Sequence, residues 1–360
     1  MAIQLSRIGW LPLYEELRAP NQFLTRFFTV KPGGIYRGEK VAIDVMRGGQ
    51  SVAVAIKKGT GPNLNDVQAF TTKEFTPPVF GEAFPLDVND LLSRMAGEDP
   101  HTAAYSEYSA ALVAIMARGF QHVGNKITRS VEWQASQILQ TGKLALTDKS
   151  GAINYEVDYK PKATHFSTVT NLWSGATYDA LGDIRAMADI IRADGKVDPD
   201  RIVFGANAWE KFLDDTRVRV RLDNRGMTMG VIDPAMVDSG ATYQGDMTIG
   251  NYTYSLWTYP ESMEDPATGV TVPFIGSWKV SISSSRARMD MVSAMVPLPL
   301  GPDPRLAAYV PPRLSSQSAG FDVTPNLYCT DNGKQIFGEL ESRTLLVPVA
   351  IDSFGCLTVG

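Results

Sequence analysis

Between Tyr105 and Leu144 apolar positions return every three or four residues: Leu112, Ile115, Met116, Phe120, Val123, Ile127, Val131, Ala135 and Ile138 form one stripe. Arg118, Gln121, Asn125, Arg129 and Glu132 fall on the other side, and Gly142 supplies a stop. The pattern predicts a single amphipathic helix with its charged side in water. At ~1.5 Å per residue it spans about 55 Å, more than a compact domain needs along one axis, and so reads as a strut.

Upstream of the helix the period is two. Val41, Ile43 and Val45 face one way, Arg47 to Gln50 make a turn, and Val52, Val54 and Ile56 resume the alternation, which predicts strands. Beyond a loop at 58–69 the chain reads FTTKEFTPPVF, where Pro77 and Pro78 forbid a central place in a sheet. The expectation is a long two-stranded flap with free edges, marginal in water unless another surface holds it. Residues 1–38 alternate apolar clusters (Ile8, Trp10, Leu11, Leu13; Phe23, Leu24, Phe27, Phe28) with Pro12, Pro20 and Pro32. That segment is too aromatic for a disordered tail and too broken to build its own core. It lies either on its own domain or along a neighbouring subunit.

Downstream, a helix is expected from about 176 to 193, with Tyr178, Leu181, Ile184, Met187 and Ile191 inward and Gly195 as its stop. A buried strand from Ile202 to Phe204, a cap at Asn207 and another helix then make a mixed α/β unit. Residues 217–242 are polar and rich in Gly and Met, the composition of a mobile loop, and short strands follow to about 284. Asn332-Gly333 is a hairpin signal, and TLLVPVAI from Thr344 reads as a buried strand.

Composition narrows the function classes. With 44% hydrophobic and 20% charged residues among 360, the chain can build a sizeable core, and no apolar run reaches the ~18 residues of a membrane helix. The N-terminus lacks the layout of a signal peptide, so folding in a cytoplasm is expected. A net charge of −5 opposes condensation on nucleic acid. Two cysteines, Cys329 and Cys356, are too few for a disulfide framework and are read as thiols.

Candidate chemistry is thin. His101, His122 and His165 are isolated in sequence and read as surface or capping residues. In GTGPNL, Leu64 stands where a dinucleotide loop needs its third glycine, and in GFQHVGNK, Asn125 replaces the lysine of a phosphate loop. Asp179/Asp183, Asp198/Asp200 and Asp214/Asp215 read as helix caps and solvated faces rather than a catalytic pair. No catalytic, cofactor-binding or metal-binding residue is therefore assigned. What does stand out is an arm, an edge-exposed flap and an overlong helix, each in need of a partner surface.

Five segments in order carry a resemblance: GEKVAIDV (38–45), FTTKEFTPPVFGEAF (70–84), EWQASQILQTGKL (132–144), DRIVFGANAWEKFLDD (200–215) and TLLVPVAIDSFGCLTV (344–359). The chain resembles the lambda-like major capsid protein E family of tailed bacteriophages. The resemblance implies an α+β chain of the Hong Kong 97-like capsid fold: N-terminal arm (1–38), extended β loop (39–85), peripheral domain (86–165) with spine helix 105–142, axial α/β domain (165–320), and returning strands of the peripheral domain (321–360). It further implies a coat protein without catalytic activity that assembles as hexamers and pentamers into an icosahedral shell around double-stranded DNA, in the virion after assembly in the host cytoplasm. Scaffolding, decoration and portal proteins would be its partners. Subunit contacts are expected at Trp10, Phe23, Phe27, Lys57, Lys58, Phe70, Phe75 and Phe80, with the two lysines meeting acidic groups of the adjacent copy. The other readings are an α/β enzyme with an unrecognised site and a different virion structural protein.

Overall fold

The computed structural model describes residues 21–36, 41–45, 71–87, 105–223, 240–296, 323–330 and 335–360. After a 3-10 turn at Thr25–Phe27 come β1 (Thr29–Tyr36), β2 (Val41–Val45), β3 (Thr71–Phe75) and β4 (Phe80–Asp87), then the long helix α1 (Tyr105–Thr141). The hairpin β5 (Lys143–Thr147) and β6 (Ile153–Asp158) precedes β7 (Phe166–Thr168), α2 (Ala180–Gly195), β8 (Arg201–Phe204), α3 (Ala206–Asp214) and α4 (Thr216–Asp223). Then follow the hairpins β9 (Thr242–Ile249) with β10 (Tyr252–Thr258) and β11 (Ser262–Glu264) with β12 (Thr271–Pro273). The chain closes with β13 (Lys279–Ser283), β14 (Met289–Ala294), β15 (Val323–Cys329), β16 (Gln335–Ser342), β17 (Thr344–Pro348) and β18 (Phe354–Thr358).

Three packed regions emerge. A six-stranded mixed sheet, ordered β7-β18-β13-β8-β10-β9, packs with α2 and α3 around Trp173, Ile184, Ile191, Phe204, Phe212 and Tyr254. A small sheet, β1-β14-β17, shares a core with the second half of α1 and with Phe23, Leu24 and Phe28. An antiparallel sheet, β15-β16-β4, covers the first half of α1 through Leu86, Leu327 and Leu340. The predicted stripe is therefore real but divided: Met116, Phe120, Val123 and Ile127 serve one core, Val131, Ala135 and Ile138 another. A rod that long is stable because both halves bury an apolar face.

Several local expectations hold. Gly142 ends α1 with φ +66°, the left-handed region that favours glycine. β2 and β3 pair antiparallel, with Val45 opposite Thr71 at the end nearest residues 46–70, and Pro77 and Pro78 are buried in the link to β4. β15 and β16 pair from Val323↔Ser342 to Cys329↔Ile336, as a turn at Asn332-Gly333 requires.

Others are corrected. Thr216–Asp223 is helical instead of part of a loop, because Asp215 accepts from the Arg217 N–H at its start and Val218 is buried. The cap of α3 is Gly205, not Asn207; a Cβ at Gly205 would lie 2.1 Å from the Gly276 carbonyl oxygen, so close approach selects glycine there. α2 runs through Gly195 to a left-handed Lys196, since a Cβ at Gly195 would meet the Asp352 carbonyl oxygen at 2.4 Å. The last forty residues do not stay together: β17 joins β14, whereas β18 enters the six-stranded sheet between β13 and β7.

One ring is seated tightly in the seam between α1 and the β15-β16-β4 sheet. Phe84 lies against the backbone of Gly119 on α1 and Gly338 on β16, where an added Cβ would sit 2.4 and 2.3 Å from it, and it meets Phe120 edge-on at 5.2 Å. Gly119→Ala and Gly338→Ala should each lower stability by about 1 to 3 kcal/mol through overpacking, read from urea midpoints. Gly124→Ala, whose nearest neighbour would be the Leu340 side chain at 3.8 Å, should be neutral or stabilising. Equal behaviour of all three variants would contradict the slot.

Candidate assembly surface

The N-terminal arm enters the structure against a buried charge. Glu132, on α1, has no exposed surface, and its carboxylate accepts from the backbone N–H groups of Phe23 (3.0 Å), Leu24 (2.7 Å) and Thr25 (3.0 Å) and from the Thr25 hydroxyl at 2.5 Å. Expected on the water side of the helix, Glu132 is instead the anion that receives the open N–H groups of the arm's first turn, an arrangement both groups require once buried. Asn21 donates to Glu261 at 2.6 Å just upstream. Burial, then the Glu132 carboxylate, pushes the Tyr259 phenol well above its ordinary value.

Aromatic rings complete the arm's seat. Phe23 is 5% exposed, within 5.1 to 5.4 Å of Phe27, Trp257 and Tyr259. Phe27 is half-buried beneath the Arg201 guanidinium, 4.0 Å from its ring centre. Phe23 thus faces its own subunit and leaves little surface for a neighbour.

Further along α1 the polar residues bond to main chain, not to water. Gln134 donates to the Thr344 carbonyl (3.2 Å) and accepts from the Leu346 N–H (3.4 Å), so its amide extends the ladder at the edge strand β17. Gln140 donates to the Phe274 carbonyl (2.7 Å) and accepts from Gly276 (3.0 Å), and Ser136 donates to that same carbonyl. Gln137 accepts from Ala145 at 2.9 Å. One sequence signal marks this face: from Trp133 to Thr141 its polar residues are amides and hydroxyls with no charge, unlike a solvated helix.

The flap roots in the same region. Val41 is fully buried, and Phe75 lies 5.5 Å from the Tyr159 ring. The Tyr155 hydroxyl donates to the Thr76 carbonyl at 2.5 Å, joining the start of the β3–β4 link to the β5–β6 hairpin. Phe80, half-buried, belongs to the other core, under β4. Trp10, Lys57, Lys58 and Phe70 lie outside the described residues; of the others, Phe23, Phe27 and Phe75 pack on one core and Phe80 on another.

The outer face of the β15-β16-β4 sheet carries groups with no partner beneath them. Tyr328, 41% exposed, stacks on Phe337 at 5.3 Å, with Pro85 next in register. Two and four residues along β16 on that face stand Glu339 and Glu341, and no cation among the described residues pairs with either. Burial, followed by the Glu339 carboxylate, raises the Glu341 pKa. Sequence reasoning did not single out either residue.

A family model for phage major capsid protein E matches residues 15–359. The chain belongs to that family. It is a phage coat protein, a structural component of the head shell, and not an enzyme. An E. coli CFT073 prophage protein assigned to the capsid superposes with a TM-score of 0.61 at 16% identity, over 95% of this chain and 94% of that one. The capsid protein of cyanophage P-SCSP1u aligns at TM-score 0.47 and 13% identity, covering 99% of this chain and 93% of that one. No curated protein sequence matches. The architecture is the Hong Kong 97-like capsid fold.

In this coat protein the residues first weighed for chemistry have structural work. His165, expected at the surface, is fully buried: its Nδ1 contacts the Phe354 carbonyl (2.9 Å) and its Nε2 the Asp194 carboxylate (3.1 Å). Asp179 caps α2 by accepting from Gly182, while Asp215 also accepts from the Ala180 N–H. Cys356 is buried, which pushes its thiol up to about 12. Among the described residues no His, Cys, Asp and Glu converge as a metal site, and no helix is long and apolar enough to cross a membrane.

Two measurements probe these contacts. Glu132→Ala strands three buried N–H groups and should cost about 3 kcal/mol or more, with faster tryptic cleavage after the exposed Arg26; an unchanged urea midpoint would show that the carboxylate does not hold the arm. The Lys162 ammonium, then His165, keeps the Asp194 carboxyl below its usual range. Because the folded-state value is the lower one, this stabilisation is complete above about pH 4 and fades as pH falls through the folded value. Below pH ~4 the wild-type midpoint should therefore fall more steeply than that of Asp194→Asn, and parallel acid limbs would rule the pairing out.

Proposed function

We propose that this coat protein assembles as hexamers and pentamers into an icosahedral shell around double-stranded DNA, with residues about 40–85 lying over an adjacent subunit. The observation that carries this is the β2–β3 pair. Its register closes at Val45↔Thr71 with residues 46–70 between, its root is held by Val41 and Phe75, and among the described residues neither strand pairs with any other. An isolated ribbon is marginal in water, and open edges are a liability unless another surface covers them; a neighbouring copy provides that surface.

In this reading Lys57, Lys58, Phe70, Phe75 and Phe80 contact the adjacent copy, and Trp10 and Phe27 belong to an arm that continues toward it. The six-stranded α/β region gathers at the symmetry axes as the axial domain; α1 and the small sheets form the periphery. Heterologous contacts of this kind close into a shell when the rotation permits. The net charge of −5 suits a container that encloses DNA without gripping it. Scaffolding, decoration and portal proteins are the partners such a head would use, with assembly in the host cytoplasm.

Deleting residues 58–69 tests the flap. Wild-type protein should give hexamers, pentamers or shells by gel filtration and electron microscopy, and the deletion should abolish closed shells while leaving a folded subunit. Normal shell yield from the deletion would refute the flap's assignment.

A further inference from the structure

His165 ends a 3-10 turn (Ala163–His165) that packs against α2, β18 and β7, and its ring has no exposed surface. Both of its nitrogens meet acceptors: Nδ1 lies 2.9 Å from the Phe354 carbonyl oxygen and Nε2 lies 3.1 Å from Asp194 Oδ2. A peptide carbonyl accepts and never donates, and an ionised carboxylate does likewise. Asp194 is ionised here. The Lys162 ammonium sits 2.5 Å from its other oxygen and, followed by His165, keeps the carboxyl below its usual range. A neutral imidazole has one N–H, so either tautomer would leave a buried lone pair facing an acceptor. The imidazolium, with two, satisfies both.

The surroundings agree with a cation at this point. Asp194 lies in the last turn of α2, where the helix dipole favours positive charge. β7 has no titratable residue, and the one in β18, Cys356, stays a thiol because burial pushes it up to about 12. Nearby on α2, Arg192 pairs with Asp198, and Lys196 just past the helix donates to the Ala193 carbonyl at 2.6 Å. Asp352, on the turn Ile351–Ser353 that packs against α2, adds a carboxylate and no cation.

His165 immediately precedes β7, an edge strand of the six-stranded sheet that pairs with β18 over only Phe166 to Thr168. Beyond it the Val169 N–H donates to the Thr358 carbonyl (3.0 Å) and the Trp173 N–H to the Val359 carbonyl (2.6 Å). So short an edge depends on an anchor at its start. We propose that His165 is held as an imidazolium and acts as a proton-dependent clasp, joining β7 to α2 and β18 and releasing that edge when the proton is lost as pH rises. Folding captures a proton that the unfolded chain sheds above about pH 6.5, so the clasp contributes fully below that pH and fades above it.

The proton can be read directly. The chain has three histidines, so nitrogen-15 histidine labelling of the full-length protein gives three pairs of ring signals, and His165→Gln identifies the pair that belongs to His165. At about pH 7.5, where free histidine is largely neutral, solid-state NMR should show both His165 nitrogens protonated. Asp194→Asn offers an amide N–H to a bare Nε2, so in that folded variant the ring should carry one proton. Hydrogen–deuterium exchange reads the release. Between about pH 7 and pH 10 the Val169 and Trp173 amides of the wild type should exchange about tenfold faster, after allowance for base catalysis of exchange itself. His165→Gln should show the fast rate throughout. A singly protonated His165 in the wild type overturns the proposal, as does a doubly protonated ring in Asp194→Asn or a wild-type exchange profile that parallels His165→Gln. None of these outcomes depends on shell formation.

Discussion

A carboxylate with no access to water dictates much of the arrangement. Glu132 cannot be buried as an ion unless its oxygens are filled, and the first turn of the arm offers three N–H groups that would otherwise be unsatisfied. Each solves the other's difficulty, so the arm cannot lift away at Phe23 to Thr25 without exposing both to an apolar surround. That fixes where the chain at Phe23 to Thr25 is seated on α1.

The same logic extends along the last turns of α1. Gln134, Ser136, Gln137 and Gln140 bond to backbone groups of β17, the link before β13, and β5. An apolar helix end would have packed there just as densely, but it would have left the β17 edge and the 274–276 link with unpaired peptide groups. The helix therefore works as a hub as well as a strut: its first half carries the β15-β16-β4 sheet, and its second half ties together arm, small sheet and α/β region.

The two halves also explain how the outer surface differs in character. Phe23 and Phe27 turn inward, onto Trp257, Tyr259 and Arg201. On the β15-β16-β4 sheet the reverse holds: leucines and Phe84 satisfy the helix beneath, and Glu339, Glu341 and Tyr328 are left above.

Periodicity alone determined the strut, its stop at Gly142, strands at 41–45 and after residue 70, the mixed α/β unit and the strands on either side of residues 331–334, since each rests on local alternation or on a residue with special backbone freedom. It misplaced Glu132 and His165, and it took Asn207 for a cap, because composition cannot say which polar side chain will meet a distant backbone. Only the tertiary structure could decide that β17 and β18 part company, that Gly119 and Gly338 yield to one phenyl ring, and that Glu339 and Glu341 share an outer face where no described cation pairs with them. Those outcomes depend on contacts between segments far apart in sequence, such as Phe84 with Gly119 and Gly338 or β14 with β17, and a sequence pattern carries period and polarity but not the partner across the gap.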